Sequence, residues 1–100
     1  MSELTVISWR DIPAQVTAGK GRQAARTQLS ERFQEAIDAA AMRAGLIGTD
    51  TYLEEWRRTA RPCGDDLEAE VAAAVAQIET DYPVERLERL VRSSGEEETA

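Results

Sequence analysis

Hydrophobic positions near the start of the chain alternate as they do in β-strands. Residues 4–9, LTVISW, are rich in β-branched and aromatic side chains, and both alternating sets include apolar residues, as in a strand covered on both faces. A shorter run of this kind follows at 14–18. Pro13 stands between the two runs, and because it has no amide hydrogen it does not suit the middle of a central strand. We predict an antiparallel pair of strands over residues 4–10 and 14–18.

After residue 27 the apolar positions recur with the period of a helix. One helix is predicted over 27–45, with Thr27 or Ser30 as its N-cap and Gly45 as the left-handed residue after its last turn. A second helix is predicted over 65–82. The apolar faces of the two helices consist of Leu29, Phe33, Ile37 and Ala44, and of Leu67, Val71, Ala74, Val75 and Ile78.

A short third helix is predicted over 83–92, where Val84, Leu87 and Val91 share one side. A helix of about ten residues is only marginally stable alone in water, so it is expected to dock on the domain. The last segment, SSGEEETA at 93–100, has no apolar anchor and is predicted to be a disordered acidic tail.

The segment 48–64 fits two structures. Tyr52, Leu53 and Trp56 fit one helical face, whereas EWRRTA fits an edge strand whose arginines face water. We favour a helical turn at 50–54 followed by a strand at about 55–60. Trp9 and Trp56 are predicted to be core residues, since tryptophan buries a large apolar area.

These elements predict an α+β fold over residues 1–92. The expected architecture is a small two-layer domain, in which an antiparallel sheet of two or three short strands packs against two main helices, with a short C-terminal helix added. Because a chain of 100 residues forms two layers most readily, the helices are expected to cover one face of the sheet.

The composition excludes most catalytic chemistry. There is no histidine, which removes the usual general base and the commonest metal ligand, and the lone Cys63 cannot gather a thiolate zinc site. We therefore predict a protein that is not an enzyme and has no cofactor. A single thiol, no apolar run of about 20 residues and no basic-then-apolar leader predict a cytoplasmic protein that does not enter a membrane.

Charge is divided unevenly along the chain. Residues 1–62 carry nine basic and eight acidic side chains, whereas residues 63–100 carry three basic and eleven acidic ones. Such a division can orient a partner or a second copy of the chain, and it can equally reflect the solvated faces of two helices. The net charge of −7 opposes nucleic-acid binding, so no nucleic-acid partner is expected.

Basic residues gather around a glycine-lysine-glycine turn. GKG retains only a dipeptide of the Walker phosphate loop, so it does not predict a nucleotide site. The basic cluster suits an acidic protein patch or an anionic group, and a solvated linker is the alternative. The candidate contacts with a partner or an anion are Arg10, Gln15, Lys20, Arg22, Arg26, Arg57 and Arg58.

Four segments resemble the bacterial virulence factor domain family. They are TVISWRDIPAQVTAGKGR, LSERFQEAIDAAAMRAGL, TDTYLEEWRR and CGDDLEAEV, and the resemblance covers residues 3–82. The same module occurs near the C-terminus of the larger conserved virulence factor C proteins, which also carry HEAT-like repeats. The resemblance supplies no catalytic residues.

The resemblance also implies a setting for the protein. Stand-alone members of this family are encoded near methyltetrahydrofolate and corrinoid methyl-transfer enzymes, which implies an accessory role in one-carbon metabolism. We predict a non-catalytic adaptor that binds another protein, with a folate or corrinoid enzyme as the implied partner and self-association as a further option. The alternative is an accessory subunit that binds an anion such as a folate polyglutamate tail or a phosphate.

Overall fold

The computed structural model describes residues 2–96, which form one antiparallel four-stranded sheet with helices packed against it. The elements are β1 (Ser2–Trp9), β2 (Ile12–Ala18), a 3-10 turn (Gly21–Gln23), β3 (Ala25–Gln28), α1 (Glu31–Arg43), α2 (Asp50–Glu54), β4 (Trp56–Cys63), α3 (Leu67–Asp81) and α4 (Val84–Arg92). The strand order is β3-β2-β1-β4. The predicted α+β class is confirmed, with four strands instead of two or three.

The hairpin of β1 and β2 contains a bulge that accommodates Pro13. Ile7 pairs with Gln15 and Ser8 pairs with Pro13, so Ala14 is an extra residue in β2. Pro13 therefore lies within the strand and not between two strands as predicted. Its missing amide hydrogen removes no ladder bond to β3, because β3 pairs with β2 only from Gln15 onward.

Strand β3 occupies residues that the sequence pattern assigned to a helix. Thr27 pairs with Val16 of β2, and α1 begins only at Glu31. Ser30 stands at the N-cap position, but its side chain does not cap α1. Instead its amide and hydroxyl donate hydrogen bonds of 2.8 Å each to the Glu79 carboxylate, which joins the start of α1 to α3.

The core consists of two apolar clusters between the sheet and the helices. Under α3, the side chains of Leu4, Val16 and Ala18 pack against Val71 and Ala74. The second cluster joins the hairpin end of the sheet to α1 and α4, and it contains Trp9, Ile12, Leu29, Phe33, Ala36, Ile37, Ala40, Ala41, Leu87 and Leu90. Helix α3 thus packs on one face of the sheet, whereas α1 and α4 pack at its hairpin end.

Helix α4 docks on α1 with a different side from the one predicted. Leu87 and Leu90 are buried, whereas Val84 is 54% exposed. At the end of α1, Gly45 has a φ of 72°, and its amide donates to Met42 O. This is the predicted left-handed residue, and it ends the helix without strain.

The segment 48–64 follows the favoured interpretation. Helix α2 begins at Asp50, where the Thr49 hydroxyl accepts a hydrogen bond from the Tyr52 amide, and it ends at Glu54. Strand β4 then runs to Cys63, three residues beyond the predicted end. It pairs with β1 along its whole length, from Trp56 opposite Trp9 to Cys63 opposite Ser2.

Residues Ser93 to Glu96 dock on the hairpin, although a disordered tail was predicted from residue 93. The Gly95 carbonyl accepts a hydrogen bond of 2.8 Å from the Asp11 amide, and the Gly95 amide donates to Leu90 O at 2.7 Å. Gly95 is buried, and a Cβ atom there would lie 2.8 Å from Cζ3 of Trp9. The rest of the predicted tail, residues 97–100, lies outside the described residues.

Replacing Gly95 with alanine should destabilise the fold markedly. Its φ of 90° is left-handed and its space is already filled by Trp9, so strain and overpacking add to about 2–4 kcal/mol. Gly48→Ala is the matched control. Gly48 has a φ of 79° but no atom within 4 Å of the place a Cβ would occupy, so this variant should lose only the backbone strain of about 1–2 kcal/mol. Urea unfolding of both variants measures the difference, and equal losses would contradict the role assigned to the Trp9 contact.

Candidate protein-interaction surface

The side of the sheet that faces away from α3 is formed by two rows of side chains between its hairpin end and its other end. One row is Gln28, Gln15, Ile7 and Arg58, and the next is Arg26, Thr17, Thr5 and Ala60, each read across the four strands. We call these eight residues the open sheet face. Although Thr5, Ile7, Gln15 and Thr17 belong to the two central strands, they are only half-buried, because no described helix covers them.

The structure divides the predicted contact residues among three places. Gln15, Arg26 and Arg58 belong to the open sheet face. Lys20 and Arg22 lie in the exposed turn between β2 and β3. Arg10 and Arg57 lie near the hairpin turn, and because side chains alternate along a strand, Arg57 and its neighbour Arg58 point to opposite faces of the sheet.

Arg10 and Arg57 hold the hairpin end of the fold together. Arg10 has a φ of 51°, its Nη1 donates to Ser94 O at 2.8 Å, and its guanidinium lies 5.0 Å from the centre of the Trp9 ring. Arg57 pairs with Asp11 at 3.2 Å and with both Glu55 and Glu96 at 3.6 Å. Their charges are therefore balanced inside the domain, which leaves them less free for a partner.

Five other basic side chains have no such balance. Within residues 2–96 no ion pair or side-chain hydrogen bond is formed by Lys20, Arg22, Arg26, Arg58 or Arg61. All five are exposed, and they lie on β3, on β4 or in the turn before β3. We call them the free basic set.

The structure also shows where the division of charge lies in space. The four strands carry four arginines and a single acidic residue, Glu3, whereas the four α-helices carry eleven acidic and five basic residues. The sheet layer is thus basic and the helix layer acidic. The division of charge between the two ends of the sequence follows from this arrangement. Three of the strands precede residue 30, whereas α3 and α4 follow residue 66.

Sequence reasoning missed part of this surface. Thr5, Ile7, Thr17 and Gln28 join the open sheet face only through the register of the strands, which no single segment reveals. Arg61 has a sequence signal that was available. It lies in the run WRRTAR, where the predicted edge strand already had its arginines facing water.

An aromatic cluster closes the hairpin end of the sheet. Trp9 is completely buried, as predicted, and its Nε1 donates to Tyr52 O at 2.9 Å. The Tyr52 ring lies 5.7 Å from that of Trp9 and 6.2 Å from that of Trp56, which is only half-buried. Burial, and to a smaller extent the charge of Asp38, raise the pKa of Tyr52 above its ordinary value.

The raised pKa of Tyr52 predicts a loss of stability in alkali. The folded state holds the phenolic proton more tightly than the unfolded state. The stability that this proton adds is therefore complete below a pH of about 10 and is lost as the pH rises through the pKa of Tyr52 in the folded protein. Tyr52→Phe removes the titrating group, so its free energy of unfolding should fall less steeply above that pH. Urea unfolding of both proteins between pH 8 and about pH 11 tests this, and parallel curves would contradict it.

The described part of the chain holds neither a metal cluster nor a membrane span. No group of three or more His, Cys, Asp and Glu side chains among residues 2–96 comes together in a way that could hold a metal ion. None of the described helices is long and apolar enough to cross a membrane.

The architecture defines a small two-layer α+β domain with one uncovered, basic sheet face. The model of the virulence factor family matches residues 7–91, from the end of β1 to the last turn of α4, so the chain belongs to this family. The match extends beyond the expected limit at residue 82 and includes α4. No curated protein and no solved structure matches the chain.

Proposed function

We propose that this virulence factor family domain is a non-catalytic accessory protein that binds an acidic surface of another protein through its basic sheet layer. The observation that carries the proposal is the separation of charge between the layers. The free basic set belongs to the strands and to the turn between β2 and β3, in a chain whose net charge is −7. A partner with an acidic patch is attracted to one side of the domain and repelled by the other, which orients the encounter.

The shape of the open sheet face also favours a macromolecular partner. Its side chains form a broad surface in which polar residues and arginine surround the half-buried Ile7. Arginine is enriched at protein interfaces, where its planar group pairs with carboxylates in two-point contacts. Lys20 and Arg22, at the margin of this surface, extend its basic character.

A groove on the helix side is a weaker candidate for the same role. It has a volume of about 430 Å³ between α1 and α4, and its apolar lining includes the exposed Val84. Charges of both signs, from Arg32, Glu35, Glu88 and Arg92, lie at this groove, so it offers no preferred sign of partner. The sheet layer has a single dominant sign and therefore supports the proposal better.

Reversing charge on the sheet layer should weaken partner capture. The double variant R26E/R58E is expected to lower recovery of a stoichiometric partner from native lysate by about tenfold, since two surface charge pairs of about 0.7 kcal/mol each sum to about 1.4 kcal/mol. The tagged protein is compared with the variant by mass spectrometry, and capture by the unchanged protein should fall as salt is raised.

The matched control is R89E/R92E, which changes the net charge by the same amount on the helix layer. Arg89 and Arg92 are exposed, and within residues 2–96 their side chains form no ion pair. This control should retain capture. Equal effects of the two double variants, or no effect of either, would show that the sheet layer is not the contact surface. If the recovered partner were a folate or corrinoid enzyme, the one-carbon role implied by the family would gain direct support.

The second candidate function is binding of a small anion at the turn between β2 and β3. It is favoured by Gly19 and Gly21, whose φ values of 85° and 68° allow a tight turn that carries Lys20 and Arg22, neither of which forms an ion pair within residues 2–96. Because residues 20–23 are all exposed, this turn offers little enclosure for a small ligand. A folate polyglutamate tail and inorganic phosphate are the anions to test.

Anion binding at this turn should raise the melting temperature. At about 100 times its dissociation constant a ligand adds roughly 2.7 kcal/mol of stability, which shifts the melting temperature of a domain of this size by several degrees. The expected shift would be absent in K20E/R22E. If neither anion shifts the melting temperature, only the protein-binding proposal remains.

A further inference from the structure

Strand β4 has a long hydrogen-bonding edge that the described fold leaves uncovered. It is an outer strand of the sheet, it is eight residues long, and among the described residues it pairs with β1 alone. Every side chain from Arg57 to Pro62 is exposed, because no described helix packs extensively on this strand. The other outer strand, β3, has only four residues.

The alternation of hydrogen bonds shows which β4 backbone groups point outward. The Arg10 amide donates to Glu55 O at 3.0 Å, one step beyond the Trp9–Trp56 pair. In an antiparallel ladder, hydrogen-bonded pairs occur at every second residue, so Arg57, Thr59 and Arg61 bond to β1. The residues between them, Arg58 and Ala60, therefore direct their amides and carbonyls away from the sheet.

Two observations agree with this assignment. The Gly19 amide donates to Glu3 O, so residue 3 and every second residue after it in β1 bond to β2, which leaves the alternate residues for β4. Pro62 falls at an outward position of β4, where its missing amide hydrogen costs the sheet nothing.

We propose that β4 adds an extended acidic segment of the partner protein as a fifth strand of the sheet. This inference rests on the proposed function and specifies how the partner is bound. Main-chain hydrogen bonds to Arg58 and Ala60 supply the attachment. Two arginines that form no ion pair within residues 2–96 select for acid, Arg58 on the open sheet face and Arg61 on the opposite one. Because Arg58 and Arg61 are three residues apart, the added strand needs two carboxylates at the same separation.

The same charges oppose pairing of β4 with a second copy of itself. The strand contains three arginines and no acidic residue, so an edge-to-edge dimer would place six arginines in one pair of neighbouring strands. Like charges on adjacent strands are destabilising. The occupant best matched to this edge is therefore a strand of opposite charge from another protein.

The test measures amide hydrogen exchange with a defined probe. The probe is a peptide of about ten residues, valine and threonine with two glutamates three positions apart. In the free protein the Arg58 and Ala60 amides should exchange quickly and the Thr59 and Arg61 amides slowly. Peptide at about ten times its dissociation constant should slow exchange at Arg58 and Ala60 about tenfold.

Variants of the peptide and of the protein separate strand addition from simple charge attraction. A peptide with the same charges but N-methylated at alternate amides should not protect Arg58 and Ala60, because it cannot complete the ladder. Ala60→Pro removes one outward donor without removing a β1 bond, and it should abolish protection, whereas the matched Ala60→Val keeps the donor and should retain it.

Three results would overturn strand addition. The first is that the N-methylated peptide binds as well as the acidic peptide. The second is that the acidic peptide at millimolar concentration does not protect the Arg58 and Ala60 amides. The third is that these amides become protected without peptide as the protein concentration rises, which would show a second copy on the edge. Failure of the proposed function looks different, because R26E/R58E would then leave partner capture unchanged. Loss of capture in R26E/R58E with no effect of Ala60→Pro would retain the partner surface and reject only the fifth strand.

Discussion

Burial of the Trp9 indole is the constraint on which the hairpin end of the fold depends. The ring lies at the end of central strand β1 and is completely removed from solvent, and its one polar atom is satisfied by the Tyr52 carbonyl. That bond holds α2 against the sheet and so places the start of β4. On the other side the ring contacts Gly95, which fixes the chain just after α4. A single side chain thus aligns an edge strand and the last helix with the centre of the sheet.

The longer elements of the fold follow from local pattern, and the exceptions follow from pairing. Apolar periodicity located α1, α3 and α4 within a few residues because each helix buries one face. Strand β3 has no such signal, since ARTQ contains little apolar material and becomes a strand only by pairing with β2. Pro13 was wrongly predicted to lie between two strands for a related reason. A bulge in β2 and the late start of β3 leave no hydrogen bond that its missing amide hydrogen would break. Long-range pairing of this kind cannot be read from one segment.

The candidate surface was less predictable than the fold. Residue type alone identified basic positions, but it could not separate Arg57, whose charge Asp11 and Glu55 balance, from Arg58, which has no acidic partner among the described residues. The two arginines are adjacent in sequence and lie on opposite faces of the sheet. Their roles diverge only once strand direction and register are known. The separation of charge between layers has the same origin, because it depends on which elements pack together.

The contacts of Ser94 and Gly95 also bear on how the domain folds as it is synthesised. The Arg10 side chain donates to Ser94 O, a residue 84 positions later in the chain, and β1 pairs with β4 across most of the sequence. The β1–β2 hairpin emerges early, yet its outer edge on β1 is paired only once β4 has been made, and the Trp9 ring meets Gly95 only when nearly the whole domain is complete. Contacts between such distant residues slow folding and prolong the exposure of apolar surface. The Gly95 contact of the Trp9 ring therefore forms only late in synthesis, and a chaperone would be of most use before that point.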